Sequence, residues 1–145
     1  MSFRKNKAIV LLPIQPRYAS AIADGRKLVE FRKIRFKECV SHIVVYSSSP
    51  QKKVIGYFQV DAIEEMSPRV LWKRYGSSGA IDYKSFCEYY ADTERGVAIK
   101  IAEYVELKKP QLLAAINPQL RVPQSFSYLT LKDFGRIRRL ADAST

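Results

Sequence analysis

The chain has 145 residues, 47% of them hydrophobic, which is enough apolar material for one domain with its own core. Its 25 Lys and Arg against 14 Asp and Glu give a net charge of +11, which favours polyanions, and nucleic acid first among them, as partners. No apolar run approaches the roughly 20 residues needed to span a bilayer, so we expect no membrane-spanning segment.

The first half of the chain predicts a strand, a helix and further strands. Residues 8–12 form an apolar run closed by Pro13, which is typical of a buried first strand. A helix is expected next, with Pro16 in its first turn and Gly25 ending it in a left-handed conformation. Three more strands are predicted at residues 28–36, 42–46 and 54–62.

The second half mixes helices with one long strand. Ser67 followed by Pro68 predicts a capped short helix, and Asp82 is expected to cap another. The other expected elements are a loop at 76–79, a strand at 96–105, and helices at 111–116 and at about 131–142.

This order of elements favours the α+β class. Short strands with helices inserted irregularly between them predict a curled or barrel-like mixed sheet. The chain has no repeat and no Gly-, Ser- or Pro-rich linker, so we expect a single domain over 1–145, with a core at about 7–128 and a C-terminal basic helix at about 131–142.

The cysteine and histidine content argues against a metal site. Cys39 and Cys87 are too few for a disulfide framework, so we expect two reduced thiols in a cytoplasmic protein. Cys39 and His42 have half of a zinc spacing, but no second ligand pair exists; a small buried cysteine and a strand-edge histidine are expected instead. The N-terminus lacks the pattern of a secretory signal, and the absence of a P-loop and of a dinucleotide fingerprint predicts no cofactor.

The most informative motif is the run from 25 to 32, which contains Gly25, Lys27, Glu30 and Arg32. In a regular strand Glu30 and Arg32 would share one face and Lys27 would lie on the other, unless a corner at Gly25 redirects it. A guanidinium beside Glu30 would hold that carboxylate ionised and keep donors for a phosphate or a base edge. An ordinary surface ion pair, worth about 0.2–1 kcal/mol, explains the spacing equally well.

The order Gly25-x-Lys27-x-x-Glu30-x-Arg32, after an apolar strand and a short helix, resembles the signature of the ASCH (activating signal cointegrator homology) domains. The resemblance extends to roughly residues 7–128, including 46–50, 54–58, 96–101 and 123–126. It implies a PUA-like β-barrel of about five to six mixed strands with short helices packed around it. It also implies a cleft into which the Lys, Glu and Arg project, with RNA or a nucleobase-like molecule as ligand.

Some small members of that family hydrolyse acylated cytidine nucleosides with the signature Lys, a Thr and a downstream Glu. Lys27 matches this lysine, but Glu30 stands where those enzymes have Thr, and residues 76–79 offer no acidic side chain at the downstream position. Gln15 also stands where similar proteins often have Lys, so one ligand contact is expected to differ.

Further contacts are expected around this motif. Ser47 and Ser48 follow a strand and are candidates to hold a phosphate, although a polar hairpin loop is the simpler explanation. Tyr46 is the favoured base-stacking residue because it precedes them; the other aromatic candidates are Tyr18, Tyr89, Tyr90 and Phe126. Arg26 and Lys33 flank the motif as additional cations. The C-terminal helix has four basic residues, which either contact the phosphate backbone of a nucleic acid or form a solvated face: Lys132, Arg136, Arg138 and Arg139.

The sequence therefore predicts a nucleic-acid-binding module that holds a single-stranded segment or a nucleobase, with RNA as the expected partner, in a basic cleft around Lys27, Glu30 and Arg32. The alternative is a small hydrolase of acylated nucleosides or of RNA, in which Lys27 and Glu30 are catalytic. A protein-interaction adaptor is a third reading. The sequence does not decide whether the nucleic acid is RNA or DNA, which base is bound, or what the oligomeric state is.

Overall fold

The computed structural model describes residues 7–142, and residues 1–6 and 143–145 lie outside the described part. The strands are β1 Ala8–Ile14, β2 Val29–Arg32, β3 Val40–Ser47, β4 Lys53–Met66, β5 Gly96–Gln111 and β6 Ser127–Leu129. The helices are α1 Pro16–Ala23, α2 Pro68–Tyr75, α3 Tyr83–Tyr89, α4 Leu113–Ile116 and α5 Leu131–Asp142, with a 3-10 turn at Gly76–Ser78. None of these helices is long and apolar enough to cross a membrane.

All six strands belong to one mixed sheet, in the order β2-β5-β4-β3-β1-β6. β1 runs parallel to β3, and every other neighbouring pair is antiparallel. The α+β class and the mixed sheet with short helices are confirmed. The described sheet is not closed into a barrel, because its edge strands β2 and β6 have only four and three residues and lie at opposite ends of the strand order.

Both faces of the central strands are buried, which explains why β1 is an apolar run and not an alternating one. Val10 and Leu12 of β1 belong to a core cluster on the face covered by α1, with Ala19 and Ile22. Ile9 and Leu11 face the opposite cluster, to which α4 and α5 contribute Leu113, Ile116, Phe134 and Ile137. The predicted buried first strand therefore separates two cores.

A third, smaller core joins α2 and α3 to the β2 edge of the sheet. Phe31 of β2 packs edge-to-face on Phe86 of α3, with ring centroids 5.0 Å apart. Leu71 of α2 and Tyr90 complete the cluster, and the Tyr90 hydroxyl donates to the carbonyl oxygen of Arg32 over 2.8 Å. These contacts hold α3 beside β2.

Five elements differ from the sequence predictions. β2 ends at Arg32 and not at residue 36, because the next residues are exposed and Phe36 alone returns to the core, 4.8 Å from the Phe126 ring. β5 continues to Gln111, so the predicted helix at 111–116 is limited to α4. The expected loop at 76–79 contains the 3-10 turn, and β6 was not predicted.

Both cysteines are exposed free thiols, so the expected buried cysteine is wrong. His42 lies in β3, which has a neighbouring strand on each side, and its ring packs 5.0 Å from that of Phe134. Within residues 7–142, no group of three His, Cys, Asp or Glu side chains is arranged to hold a metal ion.

Two Gly→Ala substitutions should have opposite effects on stability, because Gly56 of β4 lies close against β5 and Gly135 of α5 has open space around it. A methyl group at Gly56 would lie 2.5 Å from the Val105 carbonyl oxygen, so Gly56→Ala should lower the free energy of unfolding by about 1–3 kcal/mol. At Gly135 in α5 the nearest atom, Nη1 of Arg139, is 3.7 Å away, and Gly135→Ala should raise stability by up to about 1 kcal/mol. Denaturant unfolding of both variants checks this; equal stabilities would contradict it.

Candidate functional site

The candidate site begins at the corner between α1 and β2. Gly25 has φ 85°, a left-handed conformation that costs a residue with a Cβ about 1–2 kcal/mol. Its amide donates to Ile22 O over 3.2 Å, and the Lys27 amide donates to Ala21 O over 2.9 Å. The chain therefore turns sharply, and Lys27 lies ahead of the first residue of β2, free of the strand's alternation. This is the redirection that the motif required.

Three charged side chains meet at this corner. Lys27 Nζ lies 3.3 Å from Glu30 Oε1, and Arg32 Nη1 donates to Glu30 Oε2 over 3.2 Å. Lys27 is 2% exposed and Glu30 is 5% exposed, so this pair lies inside the protein. The Glu30–Arg32 pair, which the sequence analysis also interpreted as an ordinary surface ion pair, is partly buried, with the arginine side chain 22% exposed.

Backbone carbonyls from three other segments complete the arrangement. Lys27 Nζ donates to Gly79 O over 2.6 Å. Arg32 Nη1 donates to Pro13 O, and its Nη2 donates to Ser125 O, each over 3.4 Å. The ion pair thus connects the α1–β2 corner with the end of β1, the segment after the 3-10 turn, and the segment before β6.

Burial shifts the pKa of Lys27. Removal from water is the largest effect and lowers the pKa of Lys27 below its usual 10.5. The Glu30 carboxylate opposes this shift, whereas the Arg32 charge adds to it. A lysine of this kind exchanges its proton more readily than a surface lysine and can act as a base.

The ion pair forms part of the wall of a cavity of about 370 Å³, called here the Lys27 cavity. This volume lies within the range of about 300–1,000 Å³ usual for small-molecule sites. Aromatic surface comes from Tyr18, 5.1 Å from Lys27 Nζ at its ring centroid, and from Phe31 at 5.5 Å. The lining residues are Ile14, Gln15, Arg17, Tyr18, Lys27, Glu30, Phe31, Arg32, Ile81, Ser85, Glu88 and Tyr89.

Six of the residues proposed from sequence line this cavity: Gln15, Lys27, Glu30 and Arg32, and the aromatic candidates Tyr18 and Tyr89. Lys33 is exposed beside it, with Nζ 4.9 Å above the ring of Tyr89. Arg26 is exposed and lines a neighbouring cavity, where its Nε donates to both carboxylate oxygens of Asp24.

The structure places the other proposed contacts away from the Lys27 cavity. Tyr46 is 4% exposed and packs in the cluster covered by α4 and α5. Ser47 is fully buried, and its Oγ has no hydrogen-bond partner within residues 7–142. The Ser48 amide donates to Ile14 O over 2.9 Å. None of the three lines this cavity, and their proposed ligand contacts stay predictions.

The basic C-terminal helix, α5, lies on the face of the sheet opposite to the face that α1 covers. Its Phe134 and Ile137 pack into the cluster with β1 and β3. Arg136 Nη1 donates to Asp133 Oδ1 over 3.3 Å and to Ile116 O over 3.2 Å, so this arginine anchors the helix. The other three basic residues of this helix, Lys132, Arg138 and Arg139, are exposed, and their contact with a nucleic-acid backbone stays a prediction.

Sequence reasoning missed the wall opposite the ion pair. Ser85, Glu88 and Tyr89 of α3 all line the Lys27 cavity, as does Arg17 of α1. The α3 residues follow i, i+3, i+4 spacing and therefore share one helical face, which was the available signal. Tyr18 and Tyr89 were candidates only among several aromatic residues.

No protein-family model matches the chain. An ASCH domain-containing ribonuclease of Zymomonas mobilis is 30% identical over 122 residues, which cover 82% of each protein. The crystal structure of ASCH from Zymomonas mobilis has a TM-score of 0.84 and 27% identity, covering 91% of this chain and 94% of that chain. The chain therefore belongs to the ASCH domain family, as its resemblance to that family predicted.

A more distant match bears on the fold alone. The N-terminal domain of Staphylothermus marinus McrB has a TM-score of 0.59 at 15% identity and covers 93% of this chain and 98% of that domain. The sheet and its surrounding helices are thus shared by proteins whose sequences have diverged widely.

The buried ion pair predicts that removing Glu30 costs more than removing Lys27. Glu30→Gln leaves the Lys27 charge at 2% exposure without its carboxylate, and we expect a loss of about 3–5 kcal/mol in the free energy of unfolding. Lys27→Met removes the buried charge and keeps the Glu30–Arg32 pair, so it should cost clearly less. Denaturant unfolding at pH 7 measures both, and the reverse order would contradict the pairing.

A change of pH provides the control for this prediction. Because burial lowers the pKa of Lys27 in the folded protein, its charge costs stability at neutral pH, and the cost disappears as the pH rises toward the unfolded value of 10.5. The stability difference between wild type and Glu30→Gln should therefore shrink between pH 7 and pH 10. A constant difference would mean that a neutral hydrogen bond, not a buried charge, was lost.

Proposed function

We propose that this protein binds single-stranded RNA and takes the base of one nucleotide into the Lys27 cavity. The main support is the cavity itself, which has about 370 Å³ and combines tyrosine side chains with a buried ion pair. The net charge of +11 would concentrate a polyanion at the surface. The relative from Zymomonas mobilis is by name a ribonuclease, which supports RNA as the polymer.

The hydrogen-bonding capacity of the ion pair suits the edge of a base. Lys27 has three N–H donors, of which one is directed to Gly79 O and a second is close to Glu30, so the third is available to a base carbonyl. Each carboxylate oxygen of Glu30 contacts one cation, Lys27 at Oε1 and Arg32 at Oε2. Each oxygen keeps a further lone pair that would accept a hydrogen bond from a base amino group. Arg32, bonded to three protein oxygens, holds this carboxylate in place.

The rim of the Lys27 cavity supplies stacking and phosphate contacts in this proposal. Tyr18 and Tyr89 contribute aromatic faces, which bind any base. Arg17 and Lys33 are exposed, and each lies over one of these rings, at 4.5 Å from Tyr18 and 4.9 Å from Tyr89. Both cations are therefore placed to meet the phosphates of a strand whose base is inserted.

RNA cleavage is a second candidate function, favoured by the lowered pKa of Lys27 together with the ribonuclease name of the relative. In its neutral form Lys27 would take the proton of a ribose 2′-hydroxyl that attacks the neighbouring phosphorus. The bond between phosphorus and the 5′-oxygen would break, that oxygen would take a proton from water, and the protonated Lys27 amine would return its proton to the solvent. The products would be a 2′,3′-cyclic phosphate and a 5′-hydroxyl. Hydrolysis of acylated nucleosides stays a prediction.

The binding proposal is tested with two tyrosines of α3. Tyr89→Ala should weaken binding of a fluorescent 20-nucleotide single-stranded RNA by about 1–3 kcal/mol because one stacking face is lost. Tyr83, which is 60% exposed on the same helix and does not line the Lys27 cavity, is the matched control, and Tyr83→Ala should leave binding unchanged. Fluorescence anisotropy at two salt concentrations measures both variants.

Equal effects of the two substitutions would contradict insertion of a base into the Lys27 cavity. Binding of RNA should also weaken as salt rises, because counterions are released on association. If the protein neither binds RNA at either salt concentration nor turns it over, the remaining interpretation is the protein-interaction adaptor named in the sequence analysis.

Cleavage is tested with the same RNA and with acylated cytidines. If the protein is a ribonuclease, Lys27→Met should lower the cleavage rate by about 10²–10⁴-fold. The wild-type rate should increase with pH up to the pKa of Lys27, below 10.5, since only the neutral amine accepts a proton. A rate that is independent of Lys27 would exclude this role, and intact RNA would leave the binding function.

A further inference from the structure

A second cavity adjoins the Lys27 cavity. It has about 350 Å³, is called here the Arg26 cavity, and is lined by Arg17, Tyr18 and Ile81, which also line the Lys27 cavity. Arg26, from the corner that precedes Lys27, lies in the second cavity only. The two cavities therefore share one wall, and a ligand that fills the first and extends over Tyr18 enters the second.

The charges in the second cavity differ from those in the first. Within residues 7–142 the Arg26 guanidinium bonds Asp24 through Nε, at 3.0 and 2.9 Å, and neither Nη nitrogen makes a hydrogen bond. Its two outer NH2 groups are thus available, while the bonds to Asp24 direct the exposed side chain. Arginine donors in this arrangement bind the paired oxygens of a phosphate.

The shared wall carries the second guanidinium. Arg17 Nη2 donates to the Tyr18 hydroxyl over 2.7 Å, and its guanidinium carbon lies 4.5 Å from the Tyr18 ring centroid. Arg17 therefore stays on the wall between the cavities. The Asp82 carboxylate also lines the Arg26 cavity, where it is an acceptor suited to a ribose hydroxyl.

We propose that the Arg26 cavity holds the nucleotide adjacent to the one in the Lys27 cavity, with the phosphodiester that joins them placed between Arg17 and Arg26. This inference rests on the proposed function and identifies its ligand as an oligonucleotide of at least two residues, not a free nucleoside. The strand crosses Tyr18 as it passes from one cavity to the next.

The test compares ligands that differ by one linked nucleotide. Each of the four ribonucleosides, its 5′-monophosphate and the dinucleotides ApA, CpC, GpG and UpU are titrated against the ¹⁵N-labelled full chain, with inorganic phosphate as a separate ligand. The best dinucleotide should bind about tenfold more tightly than its nucleoside, as expected for a charge-assisted phosphate contact. Arg26→Gln should remove this gain and leave the nucleoside affinity unchanged.

Lys109→Gln, an exposed cation that lines neither cavity, is the matched control and should change no affinity. The inference is overturned if no dinucleotide binds more tightly than its nucleoside, if Arg26→Gln weakens both ligands equally, or if inorganic phosphate and the monophosphates reproduce the whole gain. Failure of the proposed function itself looks different, because then Tyr89→Ala would not affect any of these ligands or the 20-nucleotide RNA.

Discussion

One buried carboxylate, Glu30, organises the whole site. Lys27 and Arg32 hold its two oxygens, and through these cations it is connected to the carbonyl groups of Gly79, Pro13 and Ser125. Segments that are far apart in sequence thus meet at a single charge. A buried ion that loses its partner is strongly destabilising, so these segments keep one arrangement relative to each other, and the cavity exists before any ligand arrives.

The sheet explains why the cavity lies where it does. Helices cover both faces of the central strands, so open surface beside the sheet remains at its β2 edge. There β2 is paired on one side with β5, while α3 packs against Phe31 through Phe86. The wall that faces the ion pair is therefore a helix side, with Ser85, Glu88 and Tyr89 directed toward it.

Local features could be predicted from the sequence, and long-range contacts could not. Gly25, Lys27, Glu30 and Arg32 lie within eight residues, so turn chemistry and strand alternation were enough to bring them together. The position of α3 depends on packing between residues about 55 apart, which no local pattern contains. Tyr46 shows a second limit, because a difference of one residue along a strand decides which face is occupied. The three-residue β6 is too short to produce a periodic signal.

The separation of α3 from the two larger cores has a consequence for how this family can diversify. Phe86 and Tyr90 attach the helix to its own small cluster, and Tyr89 packs partly against that cluster, whereas Ser85 and Glu88 line the cavity and belong to none of the three clusters. Exchange of Ser85 and Glu88 would change the lining of the cavity at little cost in folding, while burial keeps the Lys27–Glu30 ion pair constant. The lining of the cavity can therefore vary on one helical face while the sheet and the ion pair stay unchanged.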